Sequence, residues 1–124
     1  MSREEGDVMG FYVRVSGLTD LAKLSASTAV LKQALENDVE RNVRQMANDG
    51  ANNAPKKTGR LANSIAASPY REGEMSWSFG SDVEYARRQE FEHATKKAFL
   101  RNALWSNEKN LENDINESIK QLGR

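Results

Sequence analysis

The sequence has very little of what most enzymes and nucleic-acid binders depend on. It contains no cysteine, which excludes disulfides, thiolate nucleophiles and cysteine-based zinc sites. Its 18 basic side chains are balanced by 18 acidic ones, so it lacks the basic excess with which a dedicated nucleic-acid binder neutralises phosphates. No apolar run approaches ~20 residues, and the charged segment 1–7 has no apolar core. We therefore expect neither a membrane span nor a signal peptide.

Catalytic and metal-binding patterns are equally scarce. The single histidine, His93, lies beside Glu90 and Glu92, and one imidazole with two carboxylates could in principle hold a metal or transfer a proton. Without a second ligand, a solvent-exposed loop residue is the simpler interpretation. No phosphate-binding loop, dinucleotide fingerprint or metal-ligand spacing occurs. We expect no enzymatic activity, no metal and no cofactor.

The length and composition predict one domain with surface to spare. We take residues 1–124 as a single unit in which 1–7 form a flexible arm. Hydrophobic residues make up 38% of the chain and charged residues 29%, which is polar for a compact monomer. A second copy of the chain would complete the burial, so we expect a homo-oligomer.

Hydrophobic periodicity predicts two long helices. The first runs from about Ser27 to Asn53, and a last helix begins at Thr95, which we expect to cap it. Between them, Asp82 to Glu92 favours a short helix. The apolar stripes are Leu31, Leu35, Val39, Val43, Met46, Ala47, Gly50 and Ala54 on the first helix, and Phe99, Leu100, Ala103, Leu104, Leu111, Ile115, Ile119 and Leu122 on the last.

Alternation of apolar and polar residues predicts three strands, at residues 8–15, 64–70 and 75–80. In the third, Met75, Trp77 and Phe79 share one face, which is typical of a half-buried antiparallel strand. Gly73 is expected to take the left-handed position of the loop at 71–74, and Pro69 indicates an edge strand or a bulge. A short helical turn at 18–24, capped by Thr19, follows the first strand. The fold class is α+β, an antiparallel sheet packed against a long central helix and a C-terminal helix.

The segment from Ala54 to Ile65 contains the strongest local signals in the chain. Pro55 moves the preceding residue out of the α region and so ends the first long helix. Gly59 permits a turn with positive φ, and Thr58 can cap a short turn beginning there. Leu61 is expected to anchor the segment in the core.

Basic residues occur in several short clusters, and two interpretations remain open. They could converge into a phosphate-binding surface, with Trp77 or Trp105 stacking on bases. Alternatively, lysines at a helix C-terminus interact with its dipole, and charged loops keep the protein soluble, while a tryptophan in an alternating strand packs in the core. The residues concerned are Lys56, Lys57, Arg60, Arg87, Arg88, Lys96, Lys97 and Arg101.

The order of these motifs resembles the gene-product-10-like family of tailed-phage neck and tail-completion proteins. Ala54, Pro55, Thr58 and Gly59 match an A-P-x-x-T-G motif that Leu61, Ser64 and Ile65 continue. Tyr85-Ala86, Glu90-Phe91 and the run Phe99-Leu100-Arg101 look like later family positions. The chain departs from the family pattern at Glu92, where a glycine is expected, and at Ala98 and Asn102, where prolines are usual.

The resemblance implies a structural protein of the virion that completes the tail or joins tail to head, present in the host bacterial cytoplasm during assembly. It implies a ring of copies, with a hexamer as one candidate, in contact with tail-tube or terminator and head-connector proteins and with DNA only as it passes through the channel. The alternative is a small DNA-binding or DNA-packaging accessory protein that uses the basic residues, and a third possibility is an unrelated oligomeric adaptor.

Overall fold

The computed structural model describes residues 10–17, 28–55, 59–93 and 96–122. Within them the chain forms an α+β fold, as predicted: a three-stranded antiparallel sheet in the order β1-β3-β2 lies against two long helices that pack on each other. No helix in these ranges is long and apolar enough to cross a bilayer. The elements are β1 (Phe11–Ser16), α1 (Ala29–Asn53), α2 (Arg60–Ala66), β2 (Tyr70–Gly73), β3 (Ser76–Ser81), α3 (Ala86–Glu92) and α4 (Phe99–Leu122).

Helix α1 is the centre of the fold and confirms the helix predicted from periodicity. It begins after Thr28, whose backbone is extended and whose hydroxyl accepts the N–H of Leu31 at 3.1 Å. It ends at Asn53, and the C-cap residue Ala54 is extended because Pro55 follows. All eight residues of the predicted stripe are buried, and Gly50 permits close packing, since a Cβ there would lie 3.2 Å from Leu100 of α4.

The sheet buries one face against these helices. Val13 pairs with Phe79 and Val15 with Trp77, and all four side chains are buried. Gly80 pairs with Tyr12 on the opposite face, where a Cβ would lie 2.2 Å from the carbonyl oxygen of Phe11. The predicted first strand is therefore present, although it ends at Ser16 and its residues 8–9 lie outside the described ranges.

The segment predicted as a strand at 64–70 is helical at residues 64–66 and enters a strand only at Tyr70, so that prediction was wrong. Leu61 and Ile65 are one helical turn apart and both are buried. An alternating strand would place Asn63 and Ala67 on the same buried face, but both are exposed. The Ser68 hydroxyl bonds to the Ile65 carbonyl at the helix end, and the strand β2 begins only after Pro69. Strand β2 does lie at a sheet edge and carries an irregularity between Arg71 and Gly73, as Pro69 indicated.

The turn between β2 and β3 also differs from the prediction. Gly73 pairs with Ser76 inside the ladder, and the positive φ, 52°, belongs to Met75. The Met75 side chain is buried, while its N–H donates to the Glu36 carboxylate at 2.9 Å. Burial of the Met75 side chain and the hydrogen bond that its N–H donates to α1 together place the left-handed residue two positions later than Gly73.

A polar layer sets the alignment of α1 against α4. Asp38 is buried on α1 and accepts a hydrogen bond of 2.6 Å from the Ser118 hydroxyl of α4. The Asn42 amide donates to Asp114 at 2.9 Å, and further along the Asn107 amide donates to Asp49, also at 2.9 Å. Because buried polar groups are costly when unpaired, sliding one helix along the other would be penalised. The turn predicted at 18–24 and the caps predicted at Thr19, Thr58 and Thr95 lie outside the described residues.

Candidate interaction site around Phe91

Glu90 joins the short helix α3 to the start of α4. Its side chain is fully buried, and its carboxylate accepts the N–H of Leu100 at 2.9 Å and the N–H of Arg101 at 3.1 Å. The Arg101 Nε donates to the same carboxylate at 2.7 Å, and Arg101 Nη2 donates to the Glu90 carbonyl. A carboxylate at a helix N-terminus satisfies free N–H groups and favours the dipole, so Glu90 acts as the cap of α4.

The loop that leads into this cap has an unusual backbone. Ala98 has φ of 62°, and its N–H donates to the Glu90 carbonyl while its own carbonyl accepts the N–H of Asn102. Proline cannot adopt a positive φ. Ala98, where the family that the sequence resembles usually has proline, therefore has a backbone conformation that proline would forbid.

Phe91, next in the chain to the buried Glu90, is exposed over 43% of its surface. Its ring packs edge-on against Phe11 of β1, with centroids 5.4 Å apart. The guanidinium of Arg101 lies 4.2 Å from its centroid and that of Arg87 lies 5.4 Å away, both within cation–π range. We call Phe11, Arg87, Phe91 and Arg101 the aromatic knob.

The start of α2 contains three residues of the predicted motif segment, Gly59, Arg60 and Leu61. Gly59 has φ of 80°, as predicted, and is the N-cap residue of α2. Leu61 is 1% exposed and belongs to the core. The guanidinium of Arg60 lies 6.0 Å from the Tyr85 ring and 3.5 Å from the Glu84 carboxylate. These contacts link the start of α2 to the residues just before α3. Lys56, Lys57 and Thr58 lie outside the described residues.

The structure brings together only part of the predicted site. Glu90, Phe91 and Arg101 are in direct contact, whereas Phe99 is buried in the core and Tyr85 is half-buried beside Arg60. Pro55 follows Ala54, the C-cap residue of α1, and is half-buried. The residues named by the resemblance therefore divide between the buried core and the exposed surface.

The basic residues converge only in part. Arg87 and Arg101 meet at Phe91, while Lys96 and Lys97 line an open groove of about 230 Å³ with Asn53, Phe99 and Asn102. Arg88 is exposed on α3. Trp77 is buried, as expected of a strand tryptophan, and Trp105 is 56% exposed.

His93 is half-buried, which corrects the expectation of a solvent-exposed residue. It ends α3, and its Nδ1 accepts the N–H of Lys96 at 3.0 Å, so it organises the bend toward α4. Within the described residues, no group of three or more histidine, cysteine or carboxylate side chains could hold a metal.

Two exposed features escaped the sequence reasoning. Phe11 belongs to the strand predicted at residues 8–15, but nothing in that pattern indicated that its ring would contact Phe91 and build the knob. The outer face of the sheet carries the paired rings of Tyr12 and Tyr70, 6.0 Å apart, and the Tyr70 hydroxyl donates to Glu72 at 2.8 Å. This bond raises the pKa of Tyr70 and lowers the pKa of Glu72. The alternation of Tyr12 and Arg14 with buried valines could have indicated such a face.

Comparisons of the chain with protein-family models, with curated proteins and with solved structures give no match.

Proposed function

We propose that this protein is a structural component of a tailed-phage or prophage virion that completes the tail or joins tail to head as a ring of copies. The observation that carries the proposal is the contact between Glu90-Phe91 and Phe99-Leu100-Arg101. These two separate parts of the family resemblance meet in one local structure, in which Glu90 caps α4 and Arg101 stacks on Phe91. The order of these residues in the chain therefore has a physical basis, which supports the interpretation that the sequence resemblance reflects a similar structure.

The surface chemistry supports an assembly role. Tyr12, Tyr70, Phe91 and Trp105 are each exposed over roughly two-fifths to three-fifths of their surface. Aromatic residues and arginine are the side chains that most often dominate protein–protein binding energy. At Phe91 they occur together and are held in place by neighbours, so little side-chain freedom would be lost on binding.

The alternative of a DNA-binding accessory protein receives less support from the same residues. Arg101 is bonded to the buried Glu90, and Arg87 packs on two phenylalanine rings. The net charge of zero also suits a channel through which DNA passes without being held.

The test is deletion of the gene from the phage or prophage that encodes it, followed by electron microscopy of the lysate. We expect filled heads and tails that are separate or malformed, and restoration of complete particles when the gene is supplied from a plasmid. Normal particles from the deletion strain would refute the assembly role. Normal structural assembly with empty heads would favour the packaging alternative.

A further inference from the structure

The aromatic knob is one of two unlike surfaces at opposite ends of α4. It carries an exposed phenyl ring and the guanidinium of Arg87, which has no carboxylate within ion-pair distance among the residues that the structure describes. Arg88 is exposed on the same short helix. A partner for this surface should offer an apolar contact together with negative charge.

The other end of α4 offers that combination. An open groove of about 200 Å³ lies between α1 and α4, lined by Asp38, Arg41, Asp114, Glu117, Ser118, Gln121 and Leu122. Three carboxylates face one guanidinium there, and Arg41 is already bonded to Asp38 and Asp114. Leu122 is 43% exposed. We call these residues the acidic groove.

The two surfaces cannot meet within one chain. Arg101, under the knob, and Ser118, in the groove, are separated by about 25 Å of continuous helix at ~1.5 Å per residue. Unlike surfaces at opposite ends of a subunit produce head-to-tail contacts, and these close into a ring when the rotation between neighbours permits.

We propose that Phe91 and Arg87 of one copy dock in the acidic groove of a second copy, Phe91 against Leu122 and Arg87 beside Glu117. This inference deepens the proposed ring and rests on it for its biological meaning. The occupant is a second copy because the chain itself carries both the cationic, aromatic surface and the anionic, apolar one, and complementary charge selects such partners.

A charge-swap experiment on the purified full-length chain tests the pairing. Self-association is measured by sedimentation velocity across a concentration series in low salt and at ~150 mM salt. Arg87→Glu and Glu117→Arg should each weaken self-association at least tenfold, and an equimolar mixture of the two variants should recover assembly with the two variants alternating, since one contact keeps the original pair of charges and the next has both charges exchanged. The double variant, with both charges exchanged, should recover assembly to within threefold of the unmodified chain.

Matched controls separate docking from folding. Tyr70→Ala removes an aromatic of similar exposure from the sheet face, and Glu112→Arg reverses an exposed charge of α4 outside the groove. Both should leave self-association unchanged, whereas Phe91→Ala should weaken it at least tenfold while circular dichroism shows a folded protein.

Four results would overturn the pairing: an unmodified chain that stays monomeric throughout the series, single reversals without effect, a double variant that does not recover, or controls that weaken assembly equally. Particle morphology after gene deletion tests the assembly role separately. If the charge-swap variants behave as expected but the deletion strain forms normal particles, the proposed function is refuted and the pairing stands. If the deletion strain forms abnormal particles but Arg87→Glu and Phe91→Ala leave self-association unchanged, the pairing is refuted and the proposed function stands.

Discussion

Replacing Glu90 with alanine should be among the most damaging single substitutions in the chain. The carboxylate is fully buried and accepts two backbone N–H groups and the Nε–H of Arg101. Removing one partner of a buried ion pair costs roughly 3–5 kcal/mol, because the remaining charge and donors lose their partner. Arg101 is about one-third exposed, which lets water solvate part of its guanidinium, so we expect about 3 kcal/mol. That is a large fraction of the ~5–15 kcal/mol that stabilises a typical domain.

Urea denaturation followed by circular dichroism measures this loss, and hydrogen exchange locates it. The amides of Leu100 and Arg101 should lose protection in Glu90→Ala, while those in the middle of α1 should retain theirs under mild conditions. Glu90→Gln keeps one acceptor oxygen and should cost less, and Glu92→Ala, on the exposed side of the same helix, should stay within ~0.5 kcal/mol. A Glu90→Ala loss below ~1 kcal/mol, or unchanged protection of both amides, would refute the capping role.

Four further predictions concern Leu61, Ala98, the stability at acid pH and DNA binding. Leu61→Ala should lower the free energy of unfolding by roughly 2–5 kcal/mol because Leu61 is buried in the core, and a stability equal to wild type in denaturant melts would contradict its anchoring role. Ala98→Gly should raise stability by up to about 1 kcal/mol by relieving the positive φ, whereas Ala98→Pro should lower it; a proline variant as stable as wild type would show that the loop adopts another path. Burial opposes ionisation of Glu36, but hydrogen bonds from Arg71 and the Met75 N–H leave its pKa lowered. The ionised carboxylate therefore stabilises the fold above the ordinary glutamate pKa of ~4.3, and this stabilisation is lost as pH falls below that value. Glu36→Gln should make the free energy of unfolding less dependent on pH in this acid range, and an unchanged dependence would refute this. DNA binding measured by fluorescence anisotropy should be weak at low salt and vanish at ~150 mM, and sub-micromolar, sequence-dependent affinity there would favour the DNA-binding alternative.

The long helices were predictable because each is specified by many residues with one period. Seven positions of α1 and its C-cap residue Ala54 form the predicted stripe, and Pro55 marks the end of the helix. The segment around Ile65 misled because its few apolar residues fit both a short strand and a single helical turn. Packing of Leu61 and Ile65 against the core decided between them, and sequence alone contains no record of that packing.

The sequence could suggest residues for the candidate site but not their arrangement. The sequence resemblance identified Glu90, Phe91 and Arg101, yet nothing in their spacing revealed that the glutamate would be buried and the phenylalanine exposed. That outcome depends on Phe11, some 80 positions earlier in the chain, lying beside α3. Likewise, the left-handed residue of the hairpin moved from Gly73 to Met75 because α1 supplies a carboxylate to its N–H.

The order of strands in the sheet has a consequence for how the protein is made. Strand β1 pairs with β3, and the partners Phe11 and Ser81 are 70 residues apart in sequence. At ~5–20 residues per second, the ribosome needs roughly 3–14 s to supply that partner. During this interval the newly synthesised β1 has an unsatisfied edge and two valines awaiting burial. The ladder between β1 and β3 therefore cannot form until most of the chain has been synthesised.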